Sequence, residues 1–168
     1  MIHVCSLAKM HEVVETTGSR HVVTLIRDLS RIVRPPSISA ENHLILNIDD
    51  IEAAADGMIT PEETHVGELL EFVQRWNREK PMVVHCFAGI SRSTAAAFIT
   101  ACALSPKRSE LEIAKAIRAA SPTASPNPRI VGFGDRLLKR DGRMIEAVRS
   151  IGRGEMAYEA EPFILEIG

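Results

Sequence analysis

Apolar residues gather early in the chain into short runs rather than spreading evenly. Ile2 to Cys5 reads as a short strand, and two further runs, His21 to Ile26 (HVVTLI) and His43 to Ile48 (HLILNI), are nearly continuous in apolar residues. Continuous apolar runs of this length mark strands covered on both faces. Leu7 to Thr17 reads as a helix closed by Gly18, a residue that tolerates φ > 0 just past a helix end. Pro35 and Pro36 mark a loop between the second and third strands. Thr60-Pro61-Glu62-Glu63 predicts a helix start, with Thr60 as cap, Pro61 in the first turn and Glu63 completing a capping box. Val66, Leu69, Leu70, Val73 and Trp76 then recur at helical spacing as one buried stripe, and Lys80-Pro81 ends the element. Met82 to His85 is a further strand, and Ser91 to Leu104 is a helix apolar on nearly every side, hence buried.

Beyond Leu104 the pattern is only helical. Ser109 and Glu112 form a capping box ahead of a face made by Ile113, Ala116, Ile117 and Ala120. Ile130 to Lys139 and Met144 to Ile151 read as two more helices, the last closed by Gly152. Residues 153–168 are acidic and show no periodicity, which divides the chain into a domain over 1–152 and an acidic tail over 153–168. Strands that alternate with helices early, and helices alone later, predict an α/β domain. Its expected core is a small, largely parallel sheet of about four to five strands wrapped by about six helices.

Composition narrows the functional classes. With 168 residues, 45% hydrophobic and 25% charged, the chain is one globular domain and not a disordered segment. Twenty Lys and Arg against twenty-two Asp and Glu leave a net charge of -2, which offers no electrostatic case for nucleic acid or for an anionic membrane. The most apolar stretch, Ala95 to Leu104, is broken by Thr100 and is too short to span a bilayer. The first residues carry no basic region ahead of an apolar one, so no signal peptide is expected. Three cysteines do not make a disulfide framework, and the expected location is a reduced cytoplasm.

The chemistry concentrates in Val83-Val84-His85-Cys86-Phe87-Ala88-Gly89-Ile90-Ser91-Arg92-Ser93. A buried strand runs into a cysteine, then a tight loop with one glycine, then a helix beginning near Ser91. Cys86 therefore faces the amino end of a helix, where unpaired N–H groups and the helix dipole favour an anion and favour thiolate over thiol. The loop Phe87, Ala88, Gly89, Ile90, Ser91 forms a nest of phosphate size. Arg92 follows Cys86 by one loop's circumference, so its guanidinium can close the ring and hold two oxygens of a tetrahedral anion. Nucleophile, anion cradle and permanent cation are what phosphoryl transfer to sulfur needs. The alternative, a structural buried cysteine, fits Cys5 and Cys102 better than Cys86. Cys102 lies too far along its helix for a disulfide with Cys86. Neither His3 with Cys5 nor His85 with Cys86 has metal-ligand spacing, and no metal or cofactor is expected.

HCFAGISRS resembles the HCxxGxxR[S/T] signature of the protein tyrosine phosphatases, above all of their compact dual-specificity branch. HLILNIDD is similar to the strand and acid-bearing loop of that family, and the helix with Phe72 and Trp76 to the one preceding its catalytic strand. SPNPRIVGF (125–133) is similar to its SPNxGF element, lengthened by the Pro128-Arg129-Ile130-Val131 stretch. The chain also resembles short tyrosine-phosphatase-like proteins of bacteria. The resemblance implies a compact dual-specificity-like fold and hydrolysis of a phosphate monoester on protein tyrosine through a phosphocysteine, with serine or threonine left open as further targets. In that mechanism Cys86 attacks phosphorus, Arg92 clamps the phosphate, and Ser93 hydrogen-bonds the sulfur and eases its departure. An aspartate protonates the leaving group and then activates water, for which Asp50 matches the register and Asp49 is the alternative. His85 supports the loop, and Asn127 either braces it or is a plain turn residue. The implied partner is a phosphorylated protein or peptide, and nothing in the resemblance implies an oligomeric state. Two rival activities remain open: a phosphatase of a lipid or RNA 5′-phosphate on the same fold, and a phosphoprotein-binding module without turnover. The variable loop positions Phe87, Ala88 and Ile90 add no positive charge, which favours a singly phosphorylated group.

Overall fold

A computed structural model describes all residues, Met1 to Gly168. Five strands form one sheet in the order β3-β2-β4-β1-β5. They are β1 (Ile2–Ser6), β2 (His21–Leu25), β3 (His43–Leu46), β4 (Met82–Cys86) and β5 (Phe163–Leu165). β1, β2, β3 and β4 pair in parallel, and β5 runs antiparallel along β1. Six helices surround the sheet: α1 (Met10–Thr17), α2 (Glu63–Arg75), α3 (Arg92–Leu104), α4 (Glu110–Ala120), α5 (Pro128–Leu137) and α6 (Arg143–Ile151). The expected α/β architecture is therefore the one observed.

The apolar runs are buried on both sides because neighbouring strand residues serve opposite faces. Met82, Val84 and Cys86 of β4 join the large core under α2 to α6, while Val83 joins Cys5, Val22 and the α1 residues Met10, Val13 and Val14 on the other face. Helix α3 lies at the centre of the large core and is buried from Ser93 to Cys102. Its run of alanines leaves little side chain between its backbone and its neighbours. No helix is long and apolar enough to cross a membrane.

Several boundaries differ from the expectation. Helix α1 starts at Met10 rather than Leu7; residues 7–9 form a turn in which the Leu7 N–H donates to the Phe87 carbonyl at 3.1 Å. Helix α2 starts at Glu63 rather than Pro61, with Glu62 rather than Thr60 as its cap. The Pro61 carbonyl accepts from Arg129 Nε at 2.7 Å, and His65 Nδ1 accepts the Glu62 N–H at 3.0 Å, so the cap sits two residues later than Thr60. The Ser109–Glu112 capping box forms as expected. On α4 the buried face is Ile113, Ala114 and Ile117, and Ala120 is exposed at the helix end.

The segment 153–168, expected as an unpatterned acidic tail, contributes to the sheet. Val4 pairs with Phe163 and Ile2 with Leu165 on the free edge of β1. A strand of three residues is too short to show alternation, and its pairing depends on an edge exposed by the rest of the fold. On its way there the segment crosses the carboxyl end of the sheet, where the Ala160 N–H donates to the Ala88 carbonyl at 2.9 Å and Ser6 Oγ donates to the Glu159 carboxylate.

Candidate active site

Strand β4 ends at Cys86, the chain turns through Phe87–Ser91, and α3 begins at Arg92. Four of the loop's carbonyls are turned outward into other parts of the fold. Phe87 accepts from Leu7 N (3.1 Å), Ala88 from Ala160 N (2.9 Å), Ile90 from Ser125 N (3.0 Å) and Ser91 from Asn127 N (3.2 Å). The amides of residues 87–91 donate to no acceptor of the protein. A peptide unit whose oxygen points out aims its N–H in, so the loop presents a ring of donors toward the end of β4. Such a ring binds a tetrahedral oxyanion.

Gly89 makes the turn possible. Its φ is +76°, and a Cβ there would lie 2.8 Å from the Cys5 carbonyl carbon and 2.9 Å from Ser6 N. Both neighbours are backbone of β1, which cannot move without breaking its pairing to β4. Gly89→Ala is therefore expected to lose about 1–3 kcal/mol of stability and most phosphatase activity, read as a lowered Tm and a lowered kcat together.

The side chains complete the ring. Cys86 is buried, with Sγ 3.1 Å from the hydroxyl of buried Ser93. Arg92 Nη1 donates to the Ile48 carbonyl at 2.9 Å, while its buried Nε has no partner in the protein. One prong of the guanidinium thus anchors the chain just past β3, and another remains available to a ligand. A buried, unpartnered N–H is uncommon, and here it belongs to a permanent cation.

The two adjacent aspartates part company. Asp49 is buried, its Oδ2 accepting the Ile59 N–H at 2.7 Å and lying 3.5 Å from Arg27, so it closes the loop between β3 and α2. Asp50 stands at the lip of the phosphate-size ring. Its Oδ1 accepts from Ser91 Oγ at 2.8 Å and from Asn127 Nδ2 at 2.9 Å, and Oδ2 has no protein partner. Asn127 ties several parts of the site together. Its Oδ1 caps α5 at Arg129 N and Ile130 N, its Nδ2 holds Asp50, and its own N–H braces the loop at Ser91. The extra residues after Asn127 form the first turn of α5. A groove of about 750 Å³ opens from Asp50 and Ser91 past Pro126 to Arg149, Arg153 and Met156.

Beneath the loop, fully buried His85 places Nδ1 3.4 Å from the Cys86 carbonyl and Nε2 2.6 Å from Thr24 Oγ1. Thr24 Oγ1 lies 2.8 Å from His43 Nε2. Burial pushes both histidines down to about 4, so both are neutral near pH 7. Thr24 and His43 were not singled out from the sequence, because nothing local distinguishes a threonine and a histidine on separate strands. Cys5 and Cys102 are free and buried, each pushed up to about 12 by burial. Cys5 pairs in register with His85 and packs on the α1 face, opposite the face Cys86 joins.

Comparison with known proteins agrees with this geometry. The protein-tyrosine phosphatase family model matches residues 55–122, and no curated protein matches by sequence. Among solved structures the fold is similar to DUSP15 (TM-score 0.63, 20% identity, covering 92% of this chain and 94% of that one). It is similar to human DUSP28 (TM-score 0.62, 17% identity, 90% and 95% covered). It is also similar to PTPMT1 in complex with PI(5)P (TM-score 0.58, 16% identity, 84% and 94% covered). At such identities these likenesses establish the fold. The matched segment and the signature are similar to those of the protein-tyrosine phosphatases, and the fold is the compact one of the dual-specificity phosphatases.

Proposed function

We propose that this phosphatase hydrolyses a phosphate monoester on protein tyrosine, and also on serine or threonine, through a phosphocysteine intermediate. The observation that carries this reading is the loop whose backbone contacts to the rest of the fold are made by carbonyls, leaving the amides of residues 87–91 and the unpartnered Nε of Arg92 for an anion beside Cys86. The Cys86 thiolate attacks phosphorus, forming an S–P bond as the P–O bond to the leaving group breaks. The leaving oxygen takes a proton from Asp50. Water then attacks phosphorus, giving its proton to Asp50, and the S–P bond breaks to return a thiolate that accepts the Ser93 hydroxyl. Arg92 and the loop amides hold the equatorial oxygens throughout, where charge accumulates. A lipid monoester is the second reading, because one solved structure of this fold carries a bound phosphoinositide. The uncharged positions Phe87, Ala88 and Ile90 favour a singly phosphorylated group over a multiply phosphorylated headgroup.

The first test is turnover of p-nitrophenyl phosphate in the presence of a chelator. Phosphotyrosine peptide, phosphoserine peptide and PI(5)P are then compared at equal concentration, and preference for the peptides over the lipid is the expected result.

The acid is tested separately. Proton donation matters most for a poor leaving group, such as a phenol of pKa ~10. Asp50→Asn is expected to slow phosphotyrosine hydrolysis by about 10²-fold or more and an activated aryl phosphate far less, and to flatten the alkaline limb of the pH–rate profile. Asp49→Asn, whose side chain is engaged with Ile59 and Arg27, is expected to show neither change.

A further inference from the structure

The hydrogen bonds beneath the loop define where their protons sit, and two independent ends of the chain agree. At one end the Cys86 carbonyl can only accept, so His85 carries its proton on Nδ1 and leaves Nε2 bare. Thr24 must then donate its single hydroxyl proton to His85 Nε2, and its oxygen accepts from His43, which carries its proton on Nε2. At the other end His43 Nδ1 is buried with no partner. A bare ring nitrogen is tolerated there far better than an orphaned N–H, which again places the His43 proton on Nε2. Reversing the chain would orphan a donor at His43 and oppose two lone pairs at Cys86.

We propose that Thr24 and His43 are positioning residues that hold the proton of His85 on Nδ1, and through it orient the Cys86 carbonyl and favour the Cys86 thiolate. Neither residue touches the reacting atoms, and both act through His85. Thr24 of β2 lies opposite His85 of β4 in register, while His43 of β3 lies opposite Val22, two residues along and so on the same face as Thr24. The titratable and charged groups facing His85 are Cys86 and Arg92 from its own segment, His43 from β3 and His11 from α1, with Cys5 opposite it on β1. Arg34 is the charge facing His43. None of Arg92, His11, Cys5 and Arg34 hydrogen-bonds to either ring, so besides the Cys86 carbonyl the His85 ring has Thr24 as its hydrogen-bonded partner, and Thr24 links it to His43. This inference rests on Cys86 as the nucleophile.

The experiment reads the tautomers and the thiolate separately. In the wild-type protein, ¹⁵N shifts of labelled histidine should show His85 protonated on Nδ1 and His43 on Nε2, and the opposite pattern would overturn the proposal. Thr24→Val keeps the shape but removes the relay. Its expected effect is a shift of about half to one pH unit upward, equivalent to one buried hydrogen bond, in both the acid limb of kcat/KM and the midpoint of Cys86 alkylation by iodoacetamide. Thr24→Ser should restore both. His43→Gln, which keeps an N–H donor, should stay near wild type, while His43→Leu should shift as Thr24→Val does. A Thr24→Val protein that is slower at every pH with an unmoved midpoint would mean that Thr24 is only structural, and the idea would fail. Alkylation is read by mass without any substrate. Failure of the phosphatase reading would therefore appear as absent turnover, distinct from failure of the relay, which would appear as an unmoved alkylation midpoint.

Discussion

Cys86→Ser is expected to reduce turnover of every phosphate ester to the uncatalysed background while leaving anion binding intact. The substitution exchanges one atom. Serine keeps the backbone at the end of β4 and can still hydrogen-bond Ser93, now at hydroxyl distance rather than the 3.1 Å seen for sulfur. What disappears is the nucleophile, because an alkyl hydroxyl is a far weaker nucleophile than sulfur. The loop amides and Arg92 remain in place, so phosphate or vanadate should still bind with near wild-type affinity, measured by calorimetry. A Cys86→Ser protein that still hydrolyses p-nitrophenyl phosphate would remove Cys86 from the mechanism and leave only its structural role.

Arg92→Lys should cost ~10²-fold or more in kcat, since lysine keeps the charge and loses the planar fork. The structure adds a second reason for a large effect. Arg92 holds the Ile48 carbonyl through Nη1 at 2.9 Å, while its buried Nε has no partner in the protein and is left for the anion in the proposed mechanism. An ammonium group on a flexible stem has no fixed second prong, so it can serve the carbonyl or the phosphate but not both in the same geometry. The loss should fall mainly on kcat, with KM less affected, because the equatorial oxygens carry most charge in the transition state. A near-normal kcat would mean that the guanidinium only anchors Ile48. Comparison with Arg92→Ala separates the two roles, since alanine removes both.

Most of the secondary structure was legible because its signals are local. The apolar runs of β2 and β3, the Ser109–Glu112 box and the stripe from Val66 to Trp76 each depend on residues within a turn or two of one another. Where the reading slipped, a distant group had claimed a local one. The Pro61 carbonyl serves Arg129 and the Glu62 N–H serves His65, so α2 starts later than the motif at Thr60 alone would put it. β5 had no signal of its own, because three residues alternate too briefly to register and their partner is an edge that exists only in the folded sheet.

The candidate site divides along the same line. The run from Val83 to Ser93 determined by itself that a cysteine ends a buried strand, that a tight glycine turn follows, and that an arginine opens the next helix. Bond geometry over so few residues leaves little freedom. Tertiary structure alone decided which aspartate meets the loop. Asp49 and Asp50 are neighbours with the same chemistry, and only the positions of Ile59, Ser91 and Asn127 turn one inward and the other to the lip. It also decided that Leu7, Ser125, Asn127 and Ala160 take up the loop's carbonyls, and that Thr24 and His43 lie beneath His85. Those contacts join residues far apart in the chain, and a sequence pattern carries no record of distance through space. Their geometry follows from strand order and helix packing, which depend on the whole core being buried at once.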